Sequence, residues 1–487
     1  MDLRNCVQLI TYADALGGDL RALDALLSGP LDGLFGGVHI LPFFPSSGDR
    51  GFAPITYREV EPRFGTWEDV RRLGARFDLV ADLMVNHVSR RSAYFQDFQR
   101  RGRRSEFADL FLTLDKVWPG GEPPQEDLAR IALRRPVHPF VDVRVEETGE
   151  VERVWATFGQ RDWSEQIDLD VGSPLTWQWL TGELRFLREQ AIRIVRLDAV
   201  GYVVKKPGTS MFFVEPELYE FLDRLHAFAA SIGLDLLPEV HAPFATQIKL
   251  ARRGYWVYDF VLPLLVLHAL ETGSSRKLRA HLAASPARQF TTLDCHDGIP
   301  VQPDLDGILE VRESRAVVDR LLARGANLTR LLHTHGRTGD FNAHQVNCTY
   351  YSAVGADDDA YLAARAIQLC APGIPQVYYT GLLAGENDHV AVEATGEGRA
   401  INRHDYSRAE IDRALQRPVV QRLLRLIHFR NDRPATGPLR VLDSEEGALR
   451  LAWQSGPTAC SLDVSLDTPA ATLRTEDACG RVEELRV

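Results

Sequence analysis

Cysteine, positive charge and long apolar runs are all in short supply in this chain of 487 residues, and each shortage removes a class of protein. The six cysteines, Cys6, Cys295, Cys348, Cys370, Cys460 and Cys479, are scattered without metal-ligand spacing or the density of a disulfide framework, so reduced thiols and a cytoplasmic setting are expected. The longest apolar stretch, Phe260 to Leu270, is interrupted by Pro263 and His268 and falls far short of the roughly 20 residues a membrane span needs. It reads as a core segment. The start, MDLRNCVQLITYADALGGD, lacks the basic stretch, long apolar segment and small-residue cleavage site of a secretion signal, and its apolar run reads as a strand. With 56 Lys and Arg against 67 Asp and Glu the net charge is -11, which argues against a generic nucleic-acid binder.

What is present is ordinary for a globular protein: 45% of residues are hydrophobic and 25% charged. The length suits a barrel of roughly 250 residues carrying inserted and appended modules. Short apolar runs recur at Val7 to Tyr12, Gly37 to Phe43, Leu79 to Val85, Ile192 to Val200, Leu236 to Val240, Val257 to Leu262, Phe290 to Leu293 and Gln376 to Tyr379. Between them lie helical patterns such as Leu20, Leu23, Leu26 and Leu27, or Leu218, Phe221, Leu222, Leu225 and Phe228, spaced i, i+3, i+4. Alternating strand and helix predicts a parallel sheet, and eight such units predict an α/β fold closed as a (β/α)8 TIM barrel, although spacing alone also allows an open sheet. Thr66 with Asp69 three residues on, and Ser173 before Pro174, read as helix starts.

Two intervals break this rhythm, Val88 to Gln166 and Gly298 to about Gly355, the second holding the loop-like segment HTHGRTGDFNAHQVN. Both leave the carboxyl ends of strands, where barrel enzymes keep their active sites, and are expected to lie over the site. After about Asp432 short alternating segments, Ala448 to Trp453 and Ala459 to Leu466, predict a small antiparallel sheet. The expected organisation is therefore barrel over 1–87, inserted domain B over 88–166, barrel over 167–297, an inserted loop domain B′ over 298–357, barrel over 358–432 and a C-terminal β domain over 433–487.

Carboxylates stand at three strand ends: Asp198 in RIVRLDAVGY, Glu239 in LLPEVH and Asp297 in TTLDCHDGIP. Taken singly, each is more often a helix cap or a surface charge. In a closed barrel, however, those ends converge, and retaining glycosyl transfer needs one carboxylate as nucleophile and one carboxylic acid for the leaving oxygen, about 5 Å apart. A third can stabilise the cationic transition state. Arg196, two residues before Asp198, shares its strand face and could hold the nucleophile ionised.

The ordered segments DLMVNH, RLDAV, PEV and CHD, carrying Asp82, Asn86, His87, Arg196, Asp198, Glu239, His296 and Asp297, resemble the four signatures of the α-amylase clan of glycoside hydrolases. QLITYAD, GVHILPFFPSSGDRGFAPITY, QVNCTYYSA, PGIPQVYY and GRAINRHDY narrow the resemblance to the sucrose phosphorylase subfamily, from about residue 5 to about 435. That resemblance implies Asp198 as nucleophile, Glu239 as general acid/base and Asp297 as transition-state stabiliser. It implies a glucose subsite lined by Asp49, Phe52, His87, Arg196, Tyr202, His296 and Arg399. It further implies Arg135 as a phosphate ligand, His241 on the acceptor side, a possible homodimer, and no metal or organic cofactor.

The acceptor loops depart from the subfamily pattern. Where typical members carry Tyr-x-Pro-Arg and Asp-x-Tyr-Gln, this chain has Ala132, Leu133, Arg134, Arg135 and Asn342, Ala343, His344, Gln345. An acid and an aromatic are lost, an arginine and a histidine gained, so Arg134 and His344 are expected to bind an anionic acceptor. The same pair resembles the sucrose 6′-phosphate phosphorylases, whose ketose is fructose 6-phosphate. Alternatives are ordinary loop drift in a sucrose phosphorylase, a glucosylglycerate phosphorylase, a hydrolase or transglucosidase of the clan, and a non-catalytic sugar-binding protein. Because phosphate and ketose use overlapping space in turn, both long loops are expected to rearrange between half-reactions.

Overall fold

The structure, a computed structural model, describes residues 3–159, 162, 164–301, 307–330 and 343–487. All eight expected barrel strands are present: β1 (Gln8–Thr11), β2 (Gly37–Ile40), β3 (Asp78–Met84), β4 (Ile192–Asp198), β5 (Asp235–Pro238), β6 (Val257–Asp259), β7 (Gln289–Thr291) and β8 (Ile374–Tyr378). Their order in the sheet is β6-β7-β8-β1-β2-β3-β4-β5, the cyclic order of a (β/α)8 barrel. The pairings β3 with β4, β4 with β5, β6 with β7, β7 with β8 and β8 with β1 are parallel. Two compact units share the chain: one is Ile40–Val240, and the other takes the piece up to His39, His241–Arg330 and the C-terminal part.

Local chemistry explains the element ends. Thr66 caps the helix Trp67–Gly74 with Asp69 returning the bond, a complete capping box, and Ser173 caps Pro174–Glu189 with proline in its first turn. Most of these strands are shorter than their apolar runs, and β4 and β6 show why. β4 stops at Asp198 because Ala199 turns left-handed (φ 54°) into a short 3-10 turn, Val200–Tyr202. β6 stops at Asp259, whose Oδ1 accepts the N–H groups of Val261 and Leu262, and the helix Leu262–Thr272 begins with Pro263 in its first turn. That helix buries Leu262 through Ala269, so the long apolar run is core.

The interval after β3 has its own core. Val88, Phe95, Phe98, Phe111, Val154 and Ile167 cluster beneath an antiparallel pairing of His87–Ser89 with Gln166–Asp168 and a hairpin, Phe140–Arg144 with Val151–Trp155. The interval after Asp297 holds a helix, Val311–Ala323, and a three-stranded sheet in which Gln345–Asn347 lies between Ile299–Pro300 and Asn327–Thr329, while residues 333–342 of its loop-like segment lie outside the described residues. The expected sheet at the end is an antiparallel meander of β9 (Arg440–Leu442), β10 (Ala448–Ser455), β11 (Thr458–Ser465), β12 (Ala470–Glu476) and β13 (Val482–Arg486). Strands β11 and β12 contact the helix Asp358–Cys370, buried from Ala360 onward.

One ion-paired histidine ties two helix starts together. His404 Nδ1 lies 2.6 Å from Asp388 Oδ2 and its Nε2 3.4 Å from Glu410, while Asp388 caps the helix His389–Thr395 and Glu410 closes a capping box on Arg408–Leu415. Burial pulls the His404 pKa down, but its bonds to both carboxylates outweigh this and hold it above the ordinary value. A raised folded-state pKa means the contribution is fully present below the unfolded value of about 6.5 and is lost as the pH climbs through the folded one. In thermal unfolding, His404→Asn is therefore expected to lower Tm by about 1–2 °C near pH 6, this partly exposed pair being discounted for screening, and by nothing measurable in alkali. A deficit independent of pH would assign His404 a packing role instead.

Candidate active site

Strand register assembles the first group of site residues. Asp82 on β3 is directly beside Arg196 on β4, and Met84 beside Asp198. Arg196 and Asp198, two residues apart on a strand, face the same way. Arg196 is buried, and its guanidinium holds three carboxylates: Asp82, Asp198 Oδ1 at 2.9 Å and Glu239 Oε1 at 2.9 Å. Glu239 follows the end of β5, where its N–H donates to Leu197 O at 3.0 Å, and its Oε2 accepts the Ala199 N–H at 3.4 Å. Two carboxylates on one planar fork suit a retaining pair, which works at about 5 Å separation. The left-handed Ala199, a conformation costly without glycine, is what presents its N–H to Glu239.

Around this group sit the expected sugar-binding residues of the same unit. His87 is buried, and its Nε2 lies 3.0 Å from Phe52 O. A carbonyl only accepts, so Nε2 carries the proton. Burial lowers the His87 pKa, which keeps the imidazole neutral. The Phe52 ring lies 5.7 Å from the Arg196 guanidinium. Asp49 begins the turn Asp49–Gly51 at φ 47°, and its charge reaches His87. Gly51 (φ 108°) packs on Pro42, where a Cβ would stand 2.6 Å from the carbonyl oxygen. Tyr202 ends the turn after Asp198; burial raises its pKa, Arg134 acting against this, and the ring meets Phe158 edge-on at 5.2 Å.

Asp297 belongs to a second group, built on the segment after β7 and the turn Gly398–Asn402. Arg399 Nη1 donates to Asp297 Oδ1 at 2.5 Å, Arg403 Nη2 lies 3.7 Å from the same oxygen, and His296 Nε2 stands 3.9 Å away. Tyr12, just past β1, meets His296 edge-on at 6.3 Å. The two arginines supply charge-assisted donors that orient this carboxylate.

The acceptor residues divide unevenly. Arg134 lies 5.9 Å from the Phe158 ring and 6.0 Å from the Tyr202 ring, and Phe158 in turn stands 5.3 Å from His87. Arg135 departs from what the resemblance implies: it is 1% exposed, and its guanidinium donates to His138 O at 2.8 Å and Phe140 O at 3.2 Å inside the inserted segment. That burial pulls its pKa down to about 10. Two backbone carbonyls, one of them in the hairpin strand Phe140–Arg144, thus satisfy a side chain that would otherwise be solvated. His344 is buried and meets His241 edge-on at 5.6 Å, and His241 stacks on Phe260 at 4.5 Å. Gln345 is in the strand beside Pro300 and Thr329. Asn342 lies outside the described residues.

The α-amylase family, described as "Alpha amylase, catalytic domain", matches residues 33–243. The sucrose 6(F)-phosphate phosphorylase of Thermoanaerobacterium thermosaccharolyticum is 55% identical over 475 residues, 97% of each chain. The chain belongs to the glycoside phosphorylases of the α-amylase family. Another member, the sucrose phosphorylase of Streptococcus mutans, is 45% identical over 435 residues, 89% of each chain. The crystal structure of sucrose 6F-phosphate phosphorylase from Thermoanaerobacter thermosaccharolyticum superposes with a TM-score of 0.96 at 54% identity, covering 100% of this chain and 98% of that one. This phosphorylase is thus a hexosyltransferase on a barrel scaffold. Among the buried pairs that sequence reasoning missed is Lys205 with Asp168, 2.9 Å apart, Lys205 also donating to Asn86 Oδ1 at 3.2 Å and to the Tyr202 carbonyl. A lysine in the polar stretch VKKPG carries no periodic signal of burial; only the fold reveals it.

Proposed function

We propose that the chain catalyses the reversible phosphorolysis of sucrose 6′-phosphate to α-D-glucose 1-phosphate and D-fructose 6-phosphate with net retention. Asp198 attacks the anomeric carbon while Glu239 gives its proton to the departing ketose oxygen, leaving a β-glucosyl ester on Asp198. An anionic phosphate oxygen then attacks that ester from the other face, Asp198 leaves as carboxylate, and the proton still on the product phosphate restores Glu239 for the next cycle. Asp297 opposes the positive charge that grows on the ring in both steps, with Arg399 and Arg403 fixing it. Asp49, Phe52, His87, Arg196, Tyr202 and His296 receive the glucosyl unit: carboxylate and guanidinium groups take its hydroxyls, aromatic faces its apolar side.

The observation that carries the choice of ketose is the seat of Arg134, a planar, permanently charged donor placed 5.9 Å from the Phe158 ring and 6.0 Å from the Tyr202 ring, where it would meet a phosphate on the leaving sugar. By sequence, His344 is a second donor for an anionic acceptor, with His241, Asn342 and Gln345 on the acceptor side. Arg135, sequestered here, serves inorganic phosphate only after the segment around residues 131–137 turns over, so the two arginines answer to successive half-reactions.

The test is glucose 1-phosphate formation from sucrose 6′-phosphate, sucrose and glucosylglycerate, each with inorganic phosphate. Sucrose 6′-phosphate is expected to lead in kcat/KM. Arg134→Ala should lower that lead by about 10–100-fold, the worth of a hydrogen bond to a charged group at about 1.5–3 kcal/mol, while turnover of sucrose changes little. A lead for sucrose returns the chain to plain sucrose phosphorylase, one for glucosylglycerate moves it to that activity, and free glucose without glucose 1-phosphate marks a hydrolase.

A further inference from the structure

The motif GRAINRHDY contributes the charges of Arg399 and Arg403 to the reading above, and neither Asn402 nor the backbone contact of Arg403 has a part in it. Their contacts are unusually concerted. Asn402 Nδ2 donates to Cys295 O at 3.1 Å and to Asp297 O at 2.9 Å, and Arg403 Nε donates to His296 O at 2.8 Å. Three consecutive carbonyls are thereby held by two consecutive side chains. Both partners of the Asn402 amide are carbonyls that only accept, which fixes its nitrogen toward them. Asn402 is 1% exposed and Arg403 7%, so these bonds are shielded from water.

We propose that Asn402, with Arg403, is a positioning residue for Asp297. The segment Cys295–Asp297 lies past the end of β7 and outside its ladder, so the strand does not set its backbone. A further bond is local, from the Asp297 N–H to Cys295 Sγ at 3.4 Å. Side-chain donors therefore replace the missing ladder. Once the three carbonyls are fixed, the Cα–Cβ direction of Asp297 is fixed with them, and Arg399 needs only to orient the carboxylate. The device is economical because one turn, Gly398–Asn402 continuing into Arg403, supplies both the backbone clamp and the carboxylate's counter-charge. The inference rests on Asp297 acting as the transition-state stabiliser.

The experiment uses Asn402→Ala and Asn402→Asp in the full chain, with Asp297→Asn as control. Aspartate keeps the volume of asparagine but offers an acceptor to two acceptors, so both variants should lose the clamp. Expected is a fall in kcat for phosphorolysis of about 100-fold, the scale of a displacement of about 1 Å at a reacting centre, with little change in KM. Affinity for a cationic glucose-configured iminosugar, which reports the charge-stabilising carboxylate, should fall in step, while affinity for neutral glucose holds. A structural role alone would not separate those two ligands. Parental kcat in Asn402→Asp, or lost kcat with unchanged iminosugar affinity, overturns the proposal. If Asp297→Asn keeps parental turnover, it is the role of Asp297 that fails; if Asp297→Asn is inactive and Asn402→Ala is parental, it is the clamp.

Discussion

Asp198→Asn is expected to lower glucose 1-phosphate formation by about 10⁴–10⁶-fold, the loss that follows removal of a covalent nucleophile, while leaving the fold intact. The exchange is isosteric, and the amide oxygen still accepts from Arg196, which donates to Asp198 at 2.9 Å in the parent. Nor does it strand a buried charge. Arg196 keeps Asp82 and Glu239, and a cluster of one cation and three carboxylates becomes one of one cation and two. Tm should therefore hold or rise slightly, which separates a chemical defect from a folding one. Trapping completes the test: a slow fluorinated glucosyl donor should leave a glucosyl mass on the peptide containing Asp198 in the parent and none in the variant. Label on another residue, or turnover within about tenfold of the parent, about 1.4 kcal/mol, would remove Asp198 from the role.

The barrel was legible because its code is redundant. Each of eight apolar runs announced a strand, and the helices between them carried both period and caps, as at Thr66 and Ser173. The Arg196 cluster was legible in part: a two-residue spacing puts Arg196 and Asp198 on one face whatever the partner strand is. What joins Asp82 to them is the register of β3 against β4, and register is a property of two strands. The same limit hid the clamp, since Asn402 and Cys295 are 107 residues apart. Arg135 shows a different limit. Adjacent arginines in one loop read alike in sequence, yet Arg134 stands against Tyr202 and Phe158 while Arg135 turns inward onto the His138 and Phe140 carbonyls. Which of two neighbouring side chains a loop buries depends on the partners beneath it, here the two carbonyls at the entry to the hairpin of the inserted segment. The sheet within the second irregular interval escaped for its brevity: strands of two or three residues have no period to read.

Glu239→Gln is expected to lose about 10²–10⁴-fold on sucrose 6′-phosphate, the usual share of general acid catalysis, and to regain most of it on α-glucosyl fluoride. Fluoride departs without a proton, whereas a ketose alkoxide does not, so the substitution should separate the two donors. Glutamine keeps the oxygen that accepts from Arg196 and the volume beside Ala199, so binding is expected to hold. The second half-reaction carries the sharper prediction. Phosphate arrives already as an anion and needs little help from a base, while a ketose hydroxyl must lose its proton as it attacks. With the fluoride donor, Glu239→Gln should therefore still make glucose 1-phosphate from phosphate but fail to glucosylate fructose 6-phosphate. Glu239 would then matter for both passages of the ketose and for neither passage of phosphate. Equal losses with both donors and both acceptors would mean that Glu239 serves charge balance around Arg196 rather than proton transfer.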